Sequence, residues 1–177
     1  MNDTKIWGLN ISNTLSRKTH VDNLYLNCCA MRSVKPFVSK HMLKLIYYIH
    51  FHSIMSYVII FWGHSSSSIR VFRLQKRIIR IMMGSRSTDS CRNLFISLKI
   101  LPFPSLYIFF LLRFVIKNRA LFTTNNEIRK FGSQHHNFHH PSANLRKYQD
   151  GVFFMSIKVY NSLPTYIKKE SINTKKF

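Results

Sequence analysis

The chain has 177 residues, about one ordinary domain, and its 46% hydrophobic and 14% aromatic content excludes disorder throughout. Lys and Arg number 27 against 6 Asp and Glu, a net charge of +21. A compact domain with that excess repels itself unless a polyanion relieves it, so nucleic acid is the first expected partner and an anionic membrane surface the second. Cys28, Cys29 and Cys91, odd in number and two of them adjacent, make no secreted disulfide framework and point to a reducing compartment. Residues 1–10 lack the apolar core of a secretion signal. The expected location is intracellular, with no choice between nucleus and cytoplasm.

In chain order, residues 5–11 (KIWGLNI) read as a short strand and 10–16 as a polar turn. Thr19 or Asp22 is placed to cap a helix running through Leu24 and Leu26 toward Met31, and Pro36 interrupts it. Ser39 opens a stronger helical pattern, with Met42, Leu43, Ile46, Tyr47, Ile49 and His50 at spacings of three and four. Residues 56–62 read equally as its continuation or as an apolar strand, and 63–68 as a loop. Residues 45–69 carry no Lys, Arg, Asp or Glu over about the length of a membrane span. His50, His52, Ser53, Ser56, His64 and the serines at 65–68 interrupt that stretch, so a buried helix followed by a serine loop is expected, not a span.

Residues 69–83 form the clearest amphipathic helix. At about 100° per residue, Arg70, Arg73, Lys76, Arg77 and Arg80 share one arc, and Val71, Phe72, Leu74, Ile78, Ile79, Ile81, Met82 and Met83 the complementary one. Ile69 and Gln75 break the segregation, and Gly84 is placed to end the helix. Asp89 or Ser90 caps a short helix over 91–98. Pro102 and Pro104 precede an apolar helix over 105–121, with Arg113, Lys117 and Arg119 toward its end, where cations complement the helix dipole. Residues 125–144 read as a polar, histidine-rich loop, 151–160 as a strand or short helix, and 168–177 as a frayed basic tail.

Two-metal nucleotidyl transfer needs several carboxylates converging on both ions. The acids here are Asp3, Asp22, Asp89, Glu127, Asp150 and Glu170, and the nearest two, Asp3 and Asp22, lie 19 positions apart. With no Asp-Asp pair, phosphate-binding glycine loop or nucleophile elbow, the chain on its own is not expected to be an enzyme. His135, His136, His139 and His140 contain two i, i+4 pairs that a helix would aim at one zinc ion. Gly132 and Pro141 bracket them and no acid stands nearby to orient them, so a solvated loop is preferred and neither metal nor cofactor is expected. Tyr47, Tyr48, Phe51, Tyr57, Phe61 and Trp62 sit in apolar surroundings and are expected in the core rather than as stacking platforms.

Several strings, in order, carry a family resemblance. They begin with Ile6-Trp7-Gly8-Leu9-Asn10-Ile11, Leu15-Ser16-Arg17-Lys18-Thr19-His20 and Ala30-Met31-Arg32-Ser33-Val34-Lys35-Pro36. Tyr47, Phe51-His52-Ser53-Ile54-Met55-Ser56-Tyr57 and Phe61-Trp62-Gly63 follow, then Leu74-Gln75-Lys76-Arg77 with Ile79-Arg80-Ile81. Asp89-Ser90-Cys91-Arg92, Leu98-Lys99-Ile100-Leu101-Pro102 and Tyr160-Asn161-Ser162-Leu163-Pro164 complete the series. Together they resemble the region following the palm in jockey-like non-LTR retrotransposon reverse transcriptases. Trp7, Arg17 and Val58 depart from that pattern, which has Leu, Trp and Gly there.

The resemblance implies a mainly α fold: a thumb-like helical bundle with a short N-terminal strand remnant and a polar, loop-rich C-terminal part. Its implied segments are 1–20 as the end of the palm, 21–122 as the thumb-like domain and 123–177 as a basic C-terminal region. The family's metal-binding aspartates precede the matched strings, so no catalytic residue carries over. The expected function is that of a fragment of an RNA-directed DNA polymerase that binds the backbone of RNA or an RNA/DNA primer-template through Arg70, Arg73, Lys76, Arg77 and Arg80. The alternatives are a decayed transposon remnant that binds polyanions nonspecifically and, more weakly, a basic membrane-associated protein.

Overall fold

The computed structural model describes residues 4–6, 9–11, 18–57, 59–128 and 137–172. It is mainly helical, as expected. The single strand expected over 5–11 is instead two, β1 (Thr4–Ile6) and β2 (Leu9–Ile11), paired antiparallel with Lys5 opposite Asn10.

Two compact units divide the chain, Met1–Leu106 and Tyr107–Phe177. In the first unit, α1 (Lys18–Val34) packs on α5 (Ser68–Met83). Val21, Leu24, Cys28 and Met31 repeat at three and four along α1 and are buried, so one helical stripe supplies its share of the core. Thr19 and Asp22, read as caps, both lie inside α1.

Ser39 does open the next helix: its Oγ accepts the Met42 N–H at 3.3 Å, capping α2 (Lys40–Ile46). The helix continues through a π-helical segment, Tyr47–His52, into α3 (Ser53–Ser56). The wider turn has a packing reason. Leu43, Tyr47, Phe51 and Met55 are all buried and stand four residues apart. In an unbroken α-helix such a row would wind off its face by about 40° per step; widening the turn holds it over the core. The expected periodicity put Met42 and Ile49 in that face, but both are exposed.

Of the six aromatic residues expected in the core, Tyr47, Phe51 and Trp62 are buried, whereas Tyr48, Tyr57 and Phe61 are exposed. The stretch read as either helix or strand contains α4 (Ile59–Trp62), whose Trp62 indole donates to the Tyr57 carbonyl at 3.0 Å.

α5 ends as its sequence predicts. Gly84 takes a left-handed φ of 71°, and the Gly84 and Ser85 N–H groups bond back to the carbonyls of Ile81 and Arg80. α6 (Arg92–Leu98) repeats this closure with Lys99 in the left-handed position at φ 53°. The Lys99 and Ile100 N–H groups donate to the carbonyls of Ile96 and Phe95, and both Ile100 and Phe95 are buried. Neither residue proposed as the α6 cap has that role cleanly. Ser90 accepts the Arg92 N–H at 3.5 Å, while Asp89 accepts the Arg86 N–H at 2.8 Å and closes the preceding turn.

Gln75, which breaks the apolar arc of α5 in sequence, is fully buried and joins three segments. Its amide nitrogen donates to the Tyr47 hydroxyl (3.0 Å) and the Leu101 carbonyl (2.9 Å). Its amide oxygen accepts the Phe103 N–H at 2.7 Å. That N–H begins α7 (Phe103–Lys117) and has no partner within its own helix.

The second unit is built on aromatic rings. Val115, Phe122, Phe138, Ile157 and Tyr160 form its buried cluster. Phe122 stacks on Phe153 with centroids 4.9 Å apart, and Phe138 lies 4.3 Å from Tyr160. Within the stretch expected to be a loop, α8 (Asn125–Ile128) is closed at its start by Glu127, which reaches back to accept the Thr124 N–H at 2.6 Å, one half of a capping box. That bond holds the Glu127 carboxyl below its usual range. Phe138 bridges antiparallel to Thr124, and the Asn161 amide both donates to the Phe138 carbonyl and accepts its N–H, each at 2.9 Å. Asn161 therefore does for Phe138 what a neighbouring strand would do.

Residues read as strand or short helix form α10 (Val152–Asn161), preceded by the short α9 (Arg146–Gln149). The frayed tail is corrected in part: α11 (Thr165–Ile172) occupies its start. Lys168 is buried there, donating to Asn137 Oδ1 (2.9 Å) and the Asn161 carbonyl (2.7 Å). A buried ammonium needs such partners, which explains why this lysine does not behave as a tail charge. Residues 173–177 lie outside the described residues.

Candidate nucleic-acid interface

The five basic residues singled out on α5 do not form one continuous row. Arg70 and Arg73 are exposed, Arg77 is half-buried, and all three line an open groove of about 400 Å³ between α5 and α1. Spacings of three and four place them on one side of the helix, and the packing of α1 on α5 sets the opposite wall. From α1 the groove takes Val21, Asp22 and Tyr25, and Leu74 lies between the arginines. Arg77 rests over the Tyr25 ring, 5.8 Å from its centroid, and Tyr25 keeps 46% of its surface exposed. Arg77 also sits near buried Cys28, whose thiol is pushed up by burial and only partly lowered by the guanidinium.

Lys76 and Arg80 are engaged locally. The Lys76 ammonium stands 4.7 Å above the Phe72 ring. Arg80 directs Nε and Nη2 at the Asp89 carbonyl, at 3.0 and 2.8 Å, tying α5 to the turn before α6. Ile69, the apolar break in the basic arc, is exposed.

Asp22 and Tyr25 were the groove residues that sequence reasoning did not assign to a site. They stand three apart on α1, and the signal that could have found them is an acid and an aromatic sharing an exposed helical face. Three guanidinium groups along an open groove can pair with successive phosphates in forked geometry without reading bases.

Other candidate chemistry is less developed. Among the described residues, no group of three or more His, Cys, Asp or Glu is placed to hold a metal ion. His135 and His136 lie outside the described residues. His139 belongs to the backbone pairing beside Phe138, its N–H donating to the Thr123 carbonyl at 2.9 Å, and His140 meets the Phe154 ring edge-on. His52 packs against Tyr47 and Tyr48, and burial pulls its pKa down. Among the described residues, no single helix is long and apolar enough to cross a membrane, although α6 and α7 taken as a bent pair pass by length and composition.

Compared with known protein families, curated proteins and solved structures, the chain finds no match in any of the three.

Proposed function

We propose that this chain corresponds to the post-palm region of a jockey-like non-LTR retrotransposon reverse transcriptase. In this reading it holds the sugar-phosphate backbone of RNA or of an RNA/DNA primer-template and carries out no nucleotidyl transfer on its own. The observation that carries the binding is the open groove in which Arg70, Arg73 and Arg77 line one wall, on a chain of net charge +21. The parentage rests on the collinear strings from Ile6 to Pro164.

Some of those strings also have structural work in this fold. Gln75 of the Leu74–Arg77 string joins three segments of the first unit, and Asn161 of the Tyr160–Pro164 string clamps Phe138.

The test is affinity for an RNA/DNA primer-template after Arg70, Arg73 and Arg77 are changed together to Gln. The control changes Arg113, Lys117 and Lys158, exposed cations of the second unit, in the same way. Losing three phosphate contacts at about 0.1 M salt is expected to weaken binding on the order of a hundredfold. If the control weakens binding as much, the charge acts diffusely and the chain is a nonspecific polyanion binder.

A further inference from the structure

We infer that the groove between α1 and α5 takes an unpaired ribonucleotide of single-stranded RNA, with its base on Tyr25, its flanking phosphates on Arg70 and Arg73, and its ribose hydroxyl on Asp22. This rests on the proposed binding of nucleic acid and narrows it to a strand type. Size comes first. A groove of about 400 Å³ is that of a small-ligand site, able to accept one nucleotide unit of a strand laid along it.

The composition of the walls is more selective than charge alone requires. Tyr25 is an exposed aromatic residue on the groove wall, with the Arg77 guanidinium over its ring. A basic groove with an exposed aromatic is the arrangement by which single strands are held, because every base has a face that stacks while its phosphates meet cations. In a duplex the bases are already stacked and the ring would have nothing to receive.

Asp22 is the discordant member. A carboxylate in a phosphate groove opposes the ligand unless it meets a hydrogen-bond donor. In RNA the donor that lies next to every backbone phosphate is the ribose 2′-hydroxyl, which DNA lacks. An acid that accepts from a ribose hydroxyl is also how dinucleotide sites mark the sugar. Asp22 is exposed and lines the groove with Tyr25, one helical turn along the same face.

The experiment measures binding of the full chain to short fluorescent oligonucleotides of one sequence, as single-stranded RNA, single-stranded DNA and RNA duplex. Both α1 side chains are exposed, so Tyr25→Leu and Asp22→Ala are expected to keep the fold, which circular dichroism checks. Single-stranded RNA is expected to bind best. Tyr25→Leu is expected to weaken it about tenfold with little effect on duplex. Asp22→Ala is expected to bring RNA and DNA affinities together.

If neither change alters strand or sugar preference while Arg70, Arg73 and Arg77 to Gln still abolishes binding, the groove holds phosphates only. The inference then falls and the broader function stands. If the arginine change leaves binding intact, the broader function falls and the inference with it.

Discussion

Replacing Gln75 with Leu keeps the side chain's approximate volume and removes every polar contact it makes. Three groups lose a partner: the Phe103 N–H (2.7 Å), the Tyr47 hydroxyl (3.0 Å) and the Leu101 carbonyl (2.9 Å). The first two are buried; Leu101 is half exposed, so water can take its carbonyl. A buried group left unpaired costs about 1–3 kcal/mol, so Phe103 and Tyr47 together lose about 2–6 kcal/mol. The added apolar surface of Leu returns about 1–2 kcal/mol. A net destabilisation of about 2–3 kcal/mol is expected, a sizeable fraction of the 5–15 kcal/mol available to a domain.

Urea unfolding followed by circular dichroism measures it. The midpoint should fall with the slope unchanged, and the melting temperature should fall by roughly 10 °C. Tyr47→Phe, which removes one of the three contacts, should lose about 1 kcal/mol. A Gln75→Leu chain as stable as the original would refute the reasoning, because the buried amide would then be replaceable by any apolar group.

Two further outcomes follow from local geometry. Lys99→Gly should stabilise the chain by about 1 kcal/mol, since glycine takes the left-handed position that Lys99 now holds at φ 53° without steric cost; an unchanged or lower unfolding midpoint would show that the turn is not strained. Alkaline pH should weaken both units. Burial raises the Tyr47 pKa above its ordinary 10.0 despite the bond from Gln75, and burial followed by the Asp150 charge pushes Tyr107 up to about 12. The fold keeps these protons where the unfolded chain has lost them, so the contribution is complete below about pH 10 and is lost as pH rises through the folded values, by about pH 12 for Tyr107. Tyr47→Phe with Tyr107→Phe should flatten that decline; an equally steep fall in the double variant would place the ionisation elsewhere.

What the sequence disclosed follows from the range of the interactions involved. α5 was legible because its charges and its stop at Gly84 are local, set by residues within one or two turns. Gln75 was misread as a flaw because its partners at Tyr47, Leu101 and Phe103 lie 26 to 28 positions away, and periodicity assigns polar groups outward. The π segment escaped for a related reason: the row Leu43, Tyr47, Phe51, Met55 fits a wider turn than the helical spacing assumed. The Glu127 cap on Thr124 follows a T-x-x-E pattern, a local signal that the loop-like composition around it outweighs.

The candidate site divides in the same way. Its arginine wall came from one helix and was visible. Its other wall came from packing α1 on α5, which turned Asp22 from a supposed cap into a groove residue. Packing also drew Arg80 onto the Asp89 carbonyl and Lys76 over Phe72, leaving Arg70, Arg73 and Arg77 as the row that faces the groove.

The claim that this row holds a nucleic-acid backbone is tested most directly by the salt dependence of binding. Affinity for an RNA/DNA primer-template would be measured across a range of salt for the original chain and for the variant with Arg70, Arg73 and Arg77 changed to Gln. Each phosphate contact removed lowers the slope of log affinity against log salt by about 0.7–0.9, so the two slopes should differ by about 2 to 3. Equal slopes would contradict the account, because the three arginines would then make no phosphate contact.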